Sequence, residues 1–251
     1  MKKQELTKSI VHYVFDPQPE MHFATSVTAV FSGNKAMLID AACEDQLKEV
    51  LDEFAAKDIE VEKVIISHFH DDHMEGLKLL PKATVYGSSH FQHTLDLWTD
   101  KEEHRYFTPA IIIDEPFTFT YGEHEVTLTP QPGHSACTML TIIDNRFIHI
   151  GDEIMFSTDG VPLLPTSDWN DRERLLGSLE KLKGYSDFTL IPSHGPAFSG
   201  ETLADEIANR YNYMKAVHDA AGDISYEDAI RNCTCDFAHS EWHENNCYNG
   251  E

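Results

Sequence analysis

Residues 67–73 have the sequence SHFHDDH, which places three imidazoles and two carboxylates within one short segment. Imidazole nitrogens and carboxylate oxygens are ligands that zinc, iron and manganese accept. His68 and His70 are two apart in an extended segment, so their side chains project to the same side. Asp72 and His73 follow where the chain is expected to turn into a helix, and they could face a second ion, although Asp72 could also be an ordinary helix N-cap. The spacing predicts two metal ions side by side, which is a hydrolytic arrangement.

The elements that hold this segment are predicted from apolar patterning. A short strand, Val64–Ile66, directly precedes it, residues 27–40 predict a hairpin, and Glu44–Lys57 has amphipathic helix spacing. Further strands are predicted at 84–86, 111–113, 117–121, 126–128, 147–150 and 187–191. Helices are predicted at 77–80, at 175–182 with Ser167 or Asp168 as a cap, and at 201–221, whereas 88–110 shows no clean period. This order predicts one mixed α/β domain over residues 1–251, with 201–251 as a helical C-terminal extension.

Three more candidate ligands follow predicted strands. His134 lies in PGHS, Asp152 in GDE and His194 in SHGP, each beside small or turn-forming residues. Loops held by a rigid sheet are where functional sites are usually built. Each residue alone would be an ordinary loop or core residue, but together with segment 67–73 they are predicted metal ligands.

With these residues in place, the chain resembles the metallo-β-lactamase superfamily, in the hydrolase branch that includes hydroxyacylglutathione hydrolases, lactonases and several phosphodiesterases. The resemblance rests on HxHxDH at 68–73, GH at 133–134, GD at 151–152 and the histidine at 194. It implies an αββα sandwich, in which two mixed β-sheets pack face to face, helices lie outside and the metals sit at one edge.

The resemblance also implies a ligand set for two divalent ions, with zinc expected and iron or manganese as alternatives. The implied ligands are His68, His70 and His134 for the first ion, and Asp72, His73 and His194 for the second. Asp152 would bridge the two ions together with a hydroxide that acts as the nucleophile. Asp72 is the candidate catalytic carboxylate, since it could accept or relay a proton from the attacking water.

The predicted function is hydrolysis of a small-molecule ester, thioester, lactone or phosphodiester. The alternative is a diiron oxidoreductase or oxygen-responsive protein on the same fold. Metallo-β-lactamases proper usually replace Asp152 with cysteine or lack a bridging carboxylate, which disfavours β-lactam turnover as the main activity. Residues 200–251 contain few basic side chains, namely Arg210, Lys215 and Arg231, which disfavours glutathione thioesters.

The composition of the chain limits the classes of partner that we expect it to bind. The 251 residues include 43 acidic and 19 basic side chains, for a net charge of -24. Such a surface repels polyanions, so we expect a small-molecule substrate and neither nucleic acid nor an anionic membrane. We expect no signal peptide, no membrane span and a cytoplasmic location. The five cysteines are expected as free thiols, and the oligomeric state, a homo-oligomer included, is open.

Some aromatic and thiol residues have two interpretations. Phe156 and Trp169, and the stretch His90–Tyr106, are candidate pocket walls or packing aromatics. Cys137 could lie near the metals or be a buried apolar residue. The C-terminal thiols and imidazoles could form a second zinc site, contact substrate through residues 243–245, or have no chemistry. These C-terminal residues are Cys233, Cys235, His239, His243 and Cys247.

Overall fold

The computed structural model describes residues 1–17 and 23–248. The predicted domain 1–251 and its extension 201–251 therefore include residues outside the described part of the chain. Among the described residues, no helix combines the length and the apolar character needed to cross a bilayer.

The first sheet has seven strands in sequence order. They are β1 (Lys2–Glu5), β2 (Ile10–Val14), β3 (Ser26–Ser32), β4 (Lys35–Ile39), β5 (Glu60–Ile65), β6 (Thr84–Ser88) and β7 (Ile111–Ile113). Strands β1 to β4 pair antiparallel, and β4 to β7 pair parallel. The parallel half brings the carboxyl ends of four strands to one edge.

The second sheet has six strands, in the order β13-β12-β11-β10-β9-β8. They are β8 (Phe117–Tyr121), β9 (His124–Pro130), β10 (Met139–Ile143), β11 (Phe147–His149), β12 (Thr189–Ile191) and β13 (Phe198–Ser199). Only β11 and β12 pair in parallel, so this sheet is also mixed.

Eight α-helices connect and cover the sheets in the described part of the chain. They are α1 (Glu44–Ala56), α2 (Asp71–Met74), α3 (Phe91–Trp98), α4 (His104–Phe107), α5 (Arg172–Leu182), α6 (Leu203–Asp219), α7 (Tyr226–Ala229) and α8 (Trp242–Cys247). Short 3₁₀ turns lie at Glu75–Leu79, Asp168–Asn170, Lys183–Tyr185 and Gly200–Thr202.

Three apolar cores separate the layers. In β4, Ala36 and Leu38 pack with α1 on one face, while Met37 and Ile39 face the second sheet on the other. Successive side chains of a strand point to opposite faces, so a strand buried on both faces is apolar throughout. The third core packs α5 and α6 against the outer face of the second sheet. The predicted αββα sandwich of two mixed sheets is confirmed.

Local patterning predicted some elements and missed others. The hairpin, α1 and the strands at 64–66, 84–86 and 111–113 are present close to the predicted bounds. Strands β1, β2, β10 and β13 and helices α3 and α4 were not predicted. In β10 four of five residues are buried, so no apolar-polar alternation marks it as a strand. The predicted helix at 77–80 is the 3₁₀ turn Glu75–Leu79.

The predicted cap of α5 was wrong. The N-cap is Asp171, whose carboxylate accepts a hydrogen bond from the Arg174 backbone N–H. Ser167 and Asp168 lie one turn earlier, next to or within the 3₁₀ turn Asp168–Asn170. Because aspartate and serine serve equally well as caps, the residue types alone did not select among them.

Candidate metal centre

All seven predicted ligand residues lie at one edge of the sandwich, in segments that follow strands: Asp72 and His73 lie in the short helix α2, and the other five lie in loops. Residues 68–73 follow β5, and His134 lies between β9 and β10. Asp152 follows β11 and His194 follows β12, and these two strands are parallel neighbours whose carboxyl ends meet at the same edge. The topology therefore brings together residues that are up to 126 positions apart (68 to 194).

The side chains form two groups in which the ligand atoms all lie within 4.8 Å of one another. The first metal group is His68, His70, His134 and Asp152, and the second metal group is Asp72, His73 and His194. Every member of both groups is buried. The two groups match the division implied by the sequence, while ligation itself stays a prediction.

Asp152 lies between the two groups. Its Oδ2 is 3.0 Å from His194 Nε2 and 3.5 Å from His73 Nε2 on one side. On the other side, the same oxygen is 3.7 Å from the Nε2 atoms of both His68 and His134. Its Oδ1 has no hydrogen-bond partner among the described residues. This position suits a carboxylate that contacts two ions.

Backbone carbonyls fix the orientation of two imidazoles. His134 Nδ1 donates to the Thr166 carbonyl at 2.8 Å, and His194 Nδ1 donates to the Ala24 carbonyl at 2.8 Å. Because each Nδ1 donates outward, Nε2 of each ring is directed at the groups, where it can bind a cation once it carries no proton.

His70 is oriented the opposite way. Its Nε2 donates to Asp168 Oδ1 at 2.8 Å, so its inward atom is Nδ1, which lies 3.1 Å from His68 Nε2 and 3.4 Å from His134 Nε2. Burial alone would raise the pKa of Asp168, but the hydrogen bond and charge of His70 lower it. Asp168 was predicted only as a helix cap, and its contact with His70 was missed.

The inward nitrogens of the first metal group are lone-pair donors that face one another. His68 Nδ1 lies 3.0 Å from Ser67 Oγ, which itself donates to a carboxylate, so the proton of His68 is on Nδ1. Three buried lone pairs at this separation repel each other unless a cation lies between them. The residues therefore fit a bound metal ion.

Asp40 supports the second metal group and was not predicted as a site residue. This buried carboxylate accepts hydrogen bonds from the Ser67 N–H at 2.7 Å and the Ser193 hydroxyl at 2.7 Å. It also lies 3.4 Å from His73 Nδ1. Burial would raise the pKa of Asp40, but the hydrogen bond and charge of His73 outweigh burial and lower it. The only sequence signal was its place at the end of the predicted strand Met37–Asp40.

The loop that carries His134 is held by Glu153. The Glu153 carboxylate accepts from the His134 N–H at 2.8 Å, and burial raises the pKa of Glu153 to about 7. A Cβ at Gly133 would overlap this carboxylate, so the close approach requires glycine.

Protonation differs between the two groups. Burial lowers the pKa of His68 and His134, which keeps these imidazoles neutral at pH 7 and able to bind a cation. Burial also lowers the pKa of His73 and His194, but the nearby carboxylates, including Asp152, outweigh it and raise both. Metal binding to the second group therefore competes with protons more strongly.

A cavity of about 540 Å³ opens onto both groups. Of the two interpretations given to these aromatics, Trp169 follows the first and lines the cavity, whereas Phe156 follows the second and is buried against Phe198 at a ring separation of 5.2 Å. From the stretch 90–106, Leu97 and Trp98 line the cavity. Cys137 is buried in the first core, which agrees with its apolar interpretation.

The C-terminal thiols and imidazoles do not converge on one point. Cys233 Sγ contacts the Asn209 carbonyl at 3.2 Å, and His243 Nε2 contacts the Ile224 carbonyl at 2.9 Å. Within residues 1–17 and 23–248, only the two metal groups bring together three or more such ligands, so the additional zinc site that was one of three interpretations of these residues has no ligand cluster there. Asn245 lines the cavity, although His243 does not.

Comparisons with known proteins agree with this architecture. Residues 22–194 match the family model described as the metallo-beta-lactamase superfamily. The metallo-beta-lactamase from Pontibacter korlensis has a similar structure, with a TM-score of 0.65 at 16% identity over 81% of this chain and 95% of that one. VMB-1 at pH 5.5 has a TM-score of 0.64 at 19% identity, over 82% of this chain and 94% of that one. At these identities the structural similarity supports the fold alone.

Proposed function

The chain belongs to the metallo-β-lactamase superfamily, and we propose that it is a dinuclear metal-dependent hydrolase of a small-molecule ester, thioester, lactone or phosphodiester. The proposal rests on one observation, the two buried ligand groups that share Asp152 beneath an open cavity. Two divalent ions, when bound there, supply Lewis acidity and a water molecule of lowered pKa. Zinc, iron and manganese all accept imidazole and carboxylate ligands, and zinc is the ion that we propose, with iron or manganese as the alternatives.

Each group of residues would hold one of the two ions. His68, His70 and His134 would hold the first ion, and Asp72, His73 and His194 would hold the second. The carboxylate of Asp152 lies between the two groups and would supply negative charge that offsets the repulsion between two cations. The outer hydrogen bonds of the imidazoles hold the rings in place, so little reorganisation is needed when charge develops on the substrate.

Asp72 is the proposed proton acceptor. It is buried at the cavity wall, with Oδ1 3.2 Å from His73 Nε2 and Oδ2 3.5 Å from His194 Nε2. A carboxylate in this position can take a proton from a water molecule that attacks the substrate in the cavity.

The Pontibacter korlensis structure is named a metallo-beta-lactamase, but an identity of 16% supports the shared fold only. The resemblance places a cysteine, or no bridging carboxylate, at the position of Asp152 in β-lactamases proper, so we propose the hydrolase branch with the hydroxyacylglutathione hydrolases and lactonases for this chain. Glutathione thioesters are not favoured, because few basic residues lie beyond residue 200.

The first experiment is elemental analysis of protein purified without chelators or added metal, followed by a hydrolysis screen over the four substrate types. Two zinc ions per chain and turnover of one type would support the proposal. Two iron ions with oxygen uptake and no hydrolysis would favour the diiron oxidoreductase instead.

A pair of variants tests the role of Asp72. Asp72→Asn is expected to reduce turnover at least about tenfold at full metal occupancy, since general acid–base catalysis contributes a factor of about 10²–10⁴. Asp71→Asn is the matched control, because Asp71 also lines the cavity but belongs to neither metal group. Unchanged turnover in fully loaded Asp72→Asn would rule out the proton role.

A further inference from the structure

All three tryptophans of the chain line the cavity above the metal groups. They come from three separate elements: Trp98 ends α3, Trp169 lies in a 3₁₀ turn, and Trp242 begins α8. Tryptophan buries a large flat surface when a ligand covers it, so this concentration points to a ligand with a flat apolar part.

Trp98 and Trp169 are exposed to the cavity, and a neighbouring ring contacts each of them. Trp98 is 45% exposed and Trp169 is 50% exposed, beside Leu97 at 53%. The Trp98 ring lies 4.7 Å from the ring of His70, and Trp169 stacks on His93 at 4.3 Å with an interplanar angle of 11°. A contiguous exposed apolar surface around a cavity is typical of a ligand-binding groove.

A second part of the cavity lining is also aromatic. The Phe23 ring lies 4.8 Å from that of His194 and 5.4 Å from that of Trp242. Aromatic rings therefore contact one histidine of each metal group. A substrate bound at the metals would lie next to apolar rings near both groups.

The backbone at Trp169 supports a binding role. Trp169 and Asn170 both have φ of 55°, in the left-handed region that bulky residues rarely adopt. Asn170 Nδ2 donates to the Tyr248 carbonyl at 2.7 Å, which ties this turn to the C-terminal segment. Unfavourable backbone conformations of this kind are concentrated at ligand-binding and catalytic sites.

The cavity offers no cation for an anionic substrate group. Its described lining contains Asp71, Asp72, Asp152 and Asp168 but no lysine or arginine, and the residues outside the description, 18–22 and 249–251, contain neither in their sequence. Arg172, which follows the Trp169 turn, instead donates to the Asn246 carbonyl at 2.7 Å. Bound metals would contact the reacting group, but a second anionic group would meet carboxylates and indole rings.

From this lining we infer that the part of the substrate outside the scissile ester, thioester, lactone or phosphodiester group is uncharged and carries an aromatic ring that packs on Trp98 and Trp169. The inference rests on the proposed function and narrows its substrate class. It excludes substrates that bear a second carboxylate or phosphate near the scissile bond.

Three hydroxamic acids with the same metal-binding head test this inference by binding alone. They are phenylacetohydroxamate, its ring-carboxylated analogue and cyclohexylacetohydroxamate, each titrated into zinc-loaded protein by calorimetry and by tryptophan fluorescence. Because all three tryptophans line the cavity, the fluorescence change reports on this site. We expect the phenyl compound to bind at least about tenfold more tightly than the carboxylated one, and roughly fivefold more tightly than the cyclohexyl one.

The outcomes separate the two proposals. If the purified protein takes up no zinc, the metal site and the proposed hydrolase fail, and the substrate inference fails with them. If zinc binds but none of the three compounds does, the substrate inference alone is overturned. If all three compounds bind, but the phenyl compound is not preferred over both the carboxylated and the cyclohexyl compound, the substrate inference is overturned while the metal site stands.

Single substitutions test which side chains produce the preference for a phenyl ring over a cyclohexyl ring. Trp98→Leu and Trp169→Leu are each expected to reduce the preference for phenyl over cyclohexyl to about twofold or less, with zinc content unchanged. Phe117→Leu is the matched control, since Phe117 is an aromatic residue of similar exposure, 42%, on β8 and outside the cavity. A full phenyl preference in both tryptophan variants would overturn the assignment of the ring to these side chains.

Discussion

Asp168→Ala is expected to weaken zinc binding by the first metal group and to leave the second group unaffected. The Asp168 carboxylate accepts the His70 Nε2–H at 2.8 Å, and both residues are 8% exposed. Without the Asp168 carboxylate, the His70 ring can rotate away from the orientation that directs Nδ1 at the ion. Asp168 has no atom in the second metal group.

Two independent considerations set the magnitude. A hydrogen bond to a charged group contributes about 1.5–3 kcal/mol. Loss of a partner behind a metal-binding histidine lowers metal affinity about 10- to 100-fold, which corresponds to about 1.4–2.7 kcal/mol. Asp168→Asn keeps an oxygen that can accept a hydrogen bond from His70 but removes the charge. This variant should therefore lower the zinc affinity less than Asp168→Ala does, by about fivefold.

The assay is a competitive zinc titration against a chromophoric chelator, which resolves the two binding steps. The second metal group serves as an internal reference in each variant. Ser225→Ala is the control, because its hydroxyl caps α7 by accepting from the Asp228 N–H and Ser225 belongs to neither metal group. It should lower stability by about 1 kcal/mol without changing zinc affinity. Wild-type affinity in Asp168→Ala at both steps, or an equal loss at both steps, would refute the reasoning.

Three further predictions concern pH, packing and metal. Burial lowers the pKa of His12 from 6.5 to about 4, so its neutral form is favoured in the folded state. The contribution of His12 to the free energy of unfolding is complete above pH 6.5. It decreases by about 3 kcal/mol as the pH drops towards 4, because the unfolded chain then binds a proton that the folded protein does not. Urea unfolding of His12→Gln should lose correspondingly less stability over that range, and an equal loss would contradict the assignment. Gly133→Ala should reduce zinc content, because the new Cβ overlaps the Glu153 carboxylate, whereas Gly177→Ala, in open space within α5, should keep zinc and add up to about 1 kcal/mol. An unchanged zinc content in Gly133→Ala would show that the loop carrying His134 can shift to make room for the new Cβ. Zinc at 100 times its dissociation constant should stabilise the fold by about 2.7 kcal/mol per site, and identical melting temperatures with zinc and with chelator would argue against binding.

Much of the fold could be predicted because its signals are local. Alternation and apolar runs identified α1 and the strands β3, β4 and β5, since those periods follow from the geometry of a single element. Elements were missed where burial removes the alternation, as in β10, or where polar side chains form an exposed edge strand, as in β1. In both cases pairing with a neighbouring strand, which no local window contains, stabilises the element.

The sequence by itself determined the candidate ligands, since segment 67–73 sets their types and spacing and His134, Asp152 and His194 each follow a strand. Only the tertiary structure decided which residues hold those ligands in place. Asp168 contacts His70 across 98 positions and Asp40 contacts Ser67 across 27, and an aspartate in either place would equally suit a helix cap or a turn. Likewise, three tryptophans 71 or more positions apart meet around one cavity only because the two sheets close together. Ligand spacing is a property of a short backbone segment, whereas these contacts depend on the packing of the whole sandwich.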